Sequence, residues 1–134
     1  MVDSSVAIAW VVRSQSSDAA DQLLGEVQSG ELFLVPVLWM FEVANALVSL
    51  RRRRRVEEHQ YQQARIDLND LRPAVDDEGS RLAFDKTSEL AQRYDLSVYD
   101  AVYLELAIRR AVPLASRDAT LNKAAKRAGV RTLL

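Results

Sequence analysis

Short apolar segments of β type alternate along the chain with longer segments of helical periodicity. This pattern is typical of a parallel sheet covered by helices, because parallel strands need long crossover connections. The predicted strands are Met1–Val2, Leu32–Val35, Arg72–Val75, Val112–Ala115 and, as a fifth segment able to pair, Val130–Leu134. No repeat, low-complexity segment or linker divides the chain, so the sequence predicts a single α/β domain over residues 1–134.

Caps and apolar spacing predict the helices between these strands. They run from Ser4 to Trp10, from Ser16–Asp18 to Gly30, from Val37 to about Arg54, from about Glu57 to Leu71, onward from Asp77, from Ser97–Asp100 to about Arg110, and from Asp118 to Ala128 before Gly129. The first predicted strand, Met1–Val2, is very short, whereas a strand usually has about five residues. We therefore expect the natural start of the protein to lie upstream of Met1.

Composition excludes several kinds of chemistry. The chain has no cysteine, so disulfide scaffolds, thiolate zinc sites and cysteine nucleophiles are ruled out. Its one histidine, His59, lies in a polar segment, where we expect a surface residue. Because there is no second histidine, acid–base cleavage of RNA by a histidine pair is also ruled out. No apolar run approaches the roughly 20 residues that span a bilayer, and the start lacks a basic signal-peptide region. We expect a cytoplasmic protein, without a membrane segment, that works with carboxylates, hydroxyls, basic side chains or a bound ion.

Three aspartates occupy comparable places in this scheme. Asp3 follows the first strand, Asp118 follows the fourth, and Asp100 opens a helix. In open parallel sheets ligands bind beyond the carboxyl ends of the strands, where residues from neighbouring strand ends converge. We therefore expect these aspartates to lie close together although they are far apart in sequence.

A fourth acid lies on a helix with an unusual pattern. Residues 37–50 read VLWMFEVANALVSL, and the only polar side chains are Glu42, Asn45 and Ser49. Their spacing of i, i+3 and i+7 places them on one face, while the apolar remainder predicts a helix buried on most sides. The polar stripe then meets a polar cleft, a partner or, in the alternative interpretation, simply solvent.

Carboxylates gathered in one place repel one another unless a cation balances them. Oxygen ligands without His or Cys select Mg²⁺ or Mn²⁺, which can activate water and stabilise a phosphodiester during cleavage. The sequence thus predicts one acidic, divalent-metal site made of Asp3, Glu42, Asp100 and Asp118. Each aspartate taken alone could instead be a helix N-cap.

The ordered motifs resemble those of PIN domains over essentially the whole chain. The motifs are Asp3-Ser4-Ser5-Val6, Glu42-Val43-Ala44-Asn45, Tyr99-Asp100-Ala101 and Ala115-Ser116-Arg117-Asp118. Within that family the pattern is most similar to the VapC toxins of toxin–antitoxin pairs. The resemblance implies a three-layer fold with a five-stranded parallel sheet, and Mg²⁺- or Mn²⁺-dependent endonucleolytic cleavage of RNA. It also implies a homodimer and a cognate VapB-like antitoxin that blocks the acidic cleft.

Carried over position by position, the resemblance makes Asp3, Glu42, Asp100 and Asp118 the metal-site acids, with Glu42 acting directly or through water. Ser5 and Ser116 match hydroxyl positions that support the site, and Asn45 matches a frequent neighbour of the glutamate.

Five consecutive arginines, Arg51–Arg55, follow the helix that carries Glu42. We predict that Arg51, Arg52 and Arg53 bind RNA phosphates beside the acidic cleft, because such contacts provide most sequence-independent affinity. A solvated helix end, favoured by the helix dipole, and a contact with the antitoxin are the alternatives.

We interpret two further clusters of residues without assigning them to the catalytic or metal site. Trp39, Met40 and Phe41 are predicted to lie in the core or at a dimer interface rather than to stack on bases. The acidic run Asp76-Asp77-Glu78 is interpreted as a helix N-terminus, where negative charge is favourable, and not as a second metal site.

Other functional classes fit the acids less well. A signalling receiver needs paired acids after the first strand and a lysine near the end, whereas Asp3 stands alone and no lysine follows Lys126. A haloacid-type phosphatase needs a second acid two residues after Asp3, where Ser5 stands. A non-catalytic partner-binding domain of the same fold remains the alternative, although all four acids are present.

Overall fold

The computed structural model describes all 134 residues. It contains seven α-helices and two short strands, which are α1 Ser4–Val11, α2 Asp18–Gln28, β1 Leu34–Pro36, α3 Leu38–Arg52, α4 Glu58–Asp70, β2 Ala74–Asp76, α5 Ser88–Tyr94, α6 Val98–Arg110 and α7 Ala119–Arg127. Short 3-10 turns cover Arg13–Gln15 and Glu78–Leu82, and a π-type turn covers Ala83–Thr87. None of these helices has the length and apolar character needed to cross a bilayer.

The two strands form a parallel pair, as the alternating pattern predicts. Leu34 lies opposite Ala74, and the register continues to Pro36 opposite Asp76. The second predicted strand is therefore displaced toward its C-terminal end and includes the proline. Proline has no N–H to donate, and Val37 supplies the next ladder bond by donating to the carbonyl of Asp76 at 3.3 Å.

The other three predicted strands do not form regular strands. Single parallel bridges join Val2 to Ala115 and Leu114 to Thr132, and the N–H of Val2 donates to the carbonyl of Leu34 at 3.1 Å. The first segment has no room to extend because α1 begins at Ser4. A five-stranded sheet is therefore not confirmed; the sheet proper has two strands, and bridges tie the remaining segments beside it.

Apolar side chains from both halves of the chain form one core. The middle of α1 and most of α6 are buried, and Leu114 and Leu121 are completely enclosed. Phe33 meets Trp39 edge-on, with ring centroids 6.0 Å apart, which confirms a core position for that tryptophan. Because α1 and α6 carry the residues next to Asp3 and Asp100, this core fixes the backbone on which those acids stand.

Helix α3 differs from its prediction. Only Trp39, Val43 and Leu47 are buried, whereas Phe41 is 69% exposed and Met40 is also exposed. The core meets only one side of α3, so the prediction of a helix buried on most sides is wrong, as is a core position for Met40 and Phe41. An apolar surface is left uncovered on the outer side of the helix.

The predicted helix from Asp77 is also wrong in its first part. Two irregular turns precede α5, and the backbone at Asp85 is non-helical, with φ −118° and ψ −109°. The cause lies at the end of β2, where the carboxylate of Asp76 accepts from the N–H of Gly79 at 3.1 Å. Glu78 binds Arg109 at 2.9 Å, so tight turns are fixed before a regular helix can begin.

An ion-pair cluster holds this region against α6. Asp76, only 4% exposed, binds Arg109 through both carboxylate oxygens at 2.9 and 2.7 Å, and buried Glu105 binds the same guanidinium at 2.8 Å. The hydrogen bonds from Arg109 hold the pKa of Asp76 below its usual range. Asp76 is thus a buried structural anion rather than part of an exposed helix N-terminus.

Candidate active site

Asp3 is the most enclosed of the four predicted acids. It stands between the bridge residue Val2 and α1, and it is 6% exposed. Its Oδ2 accepts from the hydroxyls of Ser5 at 2.6 Å and Ser116 at 2.7 Å, and its Oδ1 accepts from Ser4 at 3.2 Å. Three hydroxyl donors on one carboxylate fix its orientation.

The two serines also join distant loops. The hydroxyl of Ser116 accepts from the N–H of Asp118 at 3.0 Å, and the hydroxyl of Ser5 accepts from the N–H of Arg117 at 3.0 Å. The chain before α7 is therefore bound to the start of α1, and Asp118 is brought to the same end of the molecule as Asp3.

Asp118 itself caps α7. Its Oδ1 accepts from the N–H of Leu121 at 2.8 Å, which is a standard N-cap bond. Asp3 occupies the N-cap position of α1, but its side chain makes no capping bond there. The N-cap interpretation thus holds for Asp118 and does not explain the side chain of Asp3.

Asp100 is not a cap either, because Ser97 takes that role for α6. The hydroxyl of Ser97 accepts from the N–H of Asp100 at 3.0 Å and donates to Oδ2 of the same residue at 2.7 Å. The carboxylate is thereby held against the first turn of α6, where its negative charge is favourable.

Glu42 projects from α3 toward α6, where the hydroxyl of Tyr103 donates to its Oε2. Burial raises the pKa of Glu42, and the charges of Asp3 and Asp100 raise it further, against the opposing hydrogen bond from Tyr103. This repulsion means that Asp3 and Asp100 both lie within electrostatic reach of Glu42. A cation among them would relieve that repulsion.

Some predicted residues stand apart from this group. Asn45 is exposed on α3. Arg51 forms an ion pair with Glu58 at 2.9 Å, so it is not free to bind a phosphate without giving up that partner. Arg52 and Arg53 are exposed at the end of α3.

The structure contains no group of three or more His, Asp or Glu side chains placed closely enough to hold a metal ion. A cavity of about 760 Å³ lies beyond the far end of α1 and is lined by residues that include Trp10, Arg13 and exposed His59. None of the four acids lines it. At the opposite end of α1, Glu42 is electrostatically coupled to Asp3 and Asp100, and Ser116 joins Asp118 to Asp3, but the four acids do not form a closed ligand cage.

Two contacts of these acids were missed by sequence reasoning. Tyr103 follows Asp100 by three residues and so shares its face of α6, which is a readable signal. Ser97 is itself predicted at the start of this helix, but its hydrogen bond to the carboxylate of Asp100 is not.

These side chains can offer only oxygen ligands, a set suited to a hard divalent cation and to phosphodiester chemistry. Among curated proteins, no sequence matches the chain. The family profile described as PIN domain matches residues 1–127. PIN domains are generally metal-dependent nucleases, and PIN nucleases act on RNA. The profile covers nearly the whole chain, which therefore belongs to the PIN domain family.

Proposed function

We propose that the protein is a Mg²⁺- or Mn²⁺-dependent endoribonuclease, the toxin of a toxin–antitoxin pair. The observation that carries the proposal is the electrostatic coupling of Glu42 with Asp3 and Asp100 at one end of the molecule. A glutamate whose pKa is raised by burial and by the charges of two neighbouring aspartates is an unfavourable arrangement for stability alone. Such arrangements are typical of sites whose charge is balanced by a bound cation.

The donor set fits a hard divalent ion. Every candidate ligand is an oxygen, and the buried carboxylate of Asp3 is already oriented by three hydroxyls. Asp3, Asp100 and Asp118 would move closer together to hold the ion, because they are too far apart to form a cage without it, and Glu42 would contact it directly or through water. A bound ion supplies a water of lowered pKa and stabilises negative charge on the phosphate during cleavage.

The protein side chains have separate tasks in this scheme. Ser5 and Ser116 orient Asp3, since both donate to its Oδ2. Glu42 is suited to orient the attacking water, because burial makes its carboxylate more basic than usual. Asn45 lies one turn beyond Glu42 at the exposed rim, where it could contact the RNA backbone.

RNA would approach along the end of α3. Arg52 and Arg53 are exposed there, roughly 15 Å along the helix from Glu42 at 1.5 Å per residue, and cationic side chains at that distance would bind the RNA backbone on either side of the cleaved bond. Arg51 contributes less in this arrangement, because Glu58 already binds it.

The apolar surface of α3 supports a homodimer. Met40, Phe41 and Val48 are all exposed on one helix, a pattern common at protein interfaces and unusual for a monomer surface. The proposed antitoxin would close the acidic cleft in the resting complex.

The test is expression of the chain in a bacterial host with and without the product of its genomic neighbour. We expect growth arrest and new RNA ends when the chain is expressed alone, and relief of both when the neighbour is present. The Asp100→Asn variant is the matched control, because it removes one charge and keeps the helix. Unchanged RNA ends with the wild-type chain, or equal cleavage by Asp100→Asn, would contradict the proposal.

A further inference from the structure

Tyr103 makes the one hydrogen bond that joins α6 to an acid on α3. Its ring is 1% exposed and belongs to the main core, while its hydroxyl donates to Oε2 of Glu42, 61 residues away in sequence. Tyr103 also lies on the same face of α6 as Asp100, one turn further into the helix. The residue therefore connects the rigid interior to the acidic neighbourhood.

The direction of this hydrogen bond is fixed by chemistry. A carboxylate can only accept, so the phenol must donate and its own lone pairs do not compete. The ring of Tyr103 cannot turn away, because it is enclosed by the core. Glu42 by contrast stands on a partly exposed side of α3, with a long side chain that could adopt several rotamers.

Charge makes a fixed orientation necessary. Glu42 faces the like charges of Asp3 and Asp100, which favour rotamers that point away from them. The hydrogen bond from Tyr103 opposes that tendency and retains the carboxylate beside the other acids.

We propose that Tyr103 is a positioning residue that holds Glu42 in place for the divalent ion and its water before the ion binds. The inference rests on the proposed function and adds a residue outside the acidic set. Hydrogen bonds that orient metal ligands typically change metal affinity or activity by about 10- to 100-fold when they are removed. Tyr103 thus acts through Glu42 and does not itself contact the ion.

A purely structural role predicts a different result. A buried phenol needs an acceptor, and Glu42 could simply be the acceptor that satisfies it. In that case the loss of the hydroxyl would lower stability but leave metal affinity unchanged.

The experiment measures the affinity of Mn²⁺ alone by electron paramagnetic resonance, without RNA. Tyr103→Phe keeps the ring and removes the hydroxyl, and we expect Mn²⁺ binding to weaken about 10-fold. Tyr94→Phe is the matched control, because its ring packs beside Arg127, with 5.3 Å from the guanidinium carbon to the ring centroid, away from the acids. A folded Tyr103→Phe protein with wild-type Mn²⁺ affinity would overturn the inference.

A double-mutant cycle asks whether Tyr103 acts through Glu42. In a Glu42→Gln background, the further change caused by Tyr103→Phe should shrink to about twofold or less, since coupled residues are not additive. Independent, additive losses of Mn²⁺ affinity would contradict the inference.

A measurement on the unaltered protein covers the case in which Tyr103→Phe does not fold. With ring-labelled tyrosine, added Mg²⁺ should shift the nuclear magnetic resonance signal of Tyr103 and leave the signals of Tyr61 and Tyr94 unchanged. An unshifted Tyr103 signal would contradict the proposed positioning role.

If the wild-type chain neither binds Mn²⁺ nor cleaves RNA, the proposed function fails and this inference fails with it. If the wild-type chain does both and Tyr103→Phe does so equally well, only this inference fails.

Discussion

The hydroxyl of Ser116 donates to Oδ2 of Asp3 at 2.7 Å, joining two residues that are 113 positions apart in the chain. The same hydroxyl accepts from the N–H of Asp118. A single, completely buried serine thus ties the acid that precedes α1 to the acid that precedes α7. Ser116 therefore helps to orient the carboxylate of Asp3 and fixes the backbone at Asp118.

Ser116→Ala removes the donor to Asp3 and the acceptor for Asp118. We expect Mn²⁺ affinity and RNA cleavage each to fall about 10-fold, because a carboxylate left with only the Ser5 and Ser4 hydroxyls as donors is less well oriented when the ion binds. Calorimetric titration with Mn²⁺ measures the first effect. Ser80→Ala, at an exposed serine that donates to the carbonyl of Asp77, should change neither quantity. Equal affinities in Ser116→Ala and the wild type would show that this serine does not support the site.

How far the sequence predicts this molecule depends on the range of the interactions involved. The bounds of α1, α4, α6 and α7 were predicted within about two residues, because caps such as Ser97 and Asp118 act locally. The break before α5 was not predicted, since it depends on Arg109 reaching back to Asp76 over 33 positions. The apolar composition of α3 also gave a wrong prediction of its burial, because burial depends on which other elements pack against the helix.

The residues of the candidate site also divide into those that a local pattern predicts and those whose contacts depend on distant segments. Residue types and spacing singled out the acids, and strand-end geometry predicted that Asp3 and Asp118 lie at one end of the molecule. The contacts between Ser116 and Asp3, and between Tyr103 and Glu42, join segments far apart in sequence. No local pattern encodes which hydroxyl meets which carboxylate, so only the three-dimensional packing reveals them.

Asp76→Asn should destabilise the protein at neutral pH. Removing one partner of a buried ion pair leaves the guanidinium of Arg109 poorly compensated, at a cost of roughly 3 kcal/mol. The folded-state pKa of Asp76 is lowered, so its contribution is fully present above the unfolded value of about 3.9 and is lost as pH falls through the folded pKa. Urea unfolding at pH 7 and at pH 3 should therefore give a large difference between variant and wild type at pH 7 and a smaller one at pH 3.

The neighbouring residue provides the control for that experiment. Asp77 is exposed, and its substitution by Asn should change stability by less than about 0.5 kcal/mol at either pH. A difference between Asp76→Asn and the wild type that stays constant from pH 7 to pH 3 would mean that ionisation of Asp76 does not stabilise the fold.

Replacing Arg52 and Arg53 together by serine should flatten the salt dependence of RNA binding. Each lost contact with a single-stranded phosphate backbone lowers the slope of log affinity against log salt by about 0.7. Binding is measured in an Asp100→Asn background, so that the RNA stays intact. Arg131→Ser is the control, because Arg131 lies beside Val112 and Pro113 in a cavity that no residue of α3 lines, and it should leave the slope unchanged. An unaltered slope in the double variant would remove these arginines from the RNA surface.

Phe41→Ser should weaken the proposed homodimer. The side chain is 69% exposed in the single chain, and a buried aromatic at an interface commonly contributes 2 kcal/mol or more, which is about 30-fold in affinity. Light scattering after size-exclusion chromatography over a concentration series gives the dissociation constant. Phe84→Ser alters another fully exposed aromatic outside α3 and should leave dimerisation unchanged. A wild-type chain that stays monomeric at all concentrations would contradict this use of the α3 surface.

The most direct test is cleavage of a single-stranded RNA by the purified protein with Mg²⁺ or Mn²⁺ and with excess EDTA. The proposed function predicts cleavage only when the ion is present, restored when the ion is added back. Asp3→Asn should lower the rate by more than the roughly 100-fold loss expected from an orienting partner, because Asp3 is proposed as a direct ligand. Cleavage that proceeds equally well in EDTA, or that survives in Asp3→Asn at the wild-type rate, would contradict a metal-dependent acidic site.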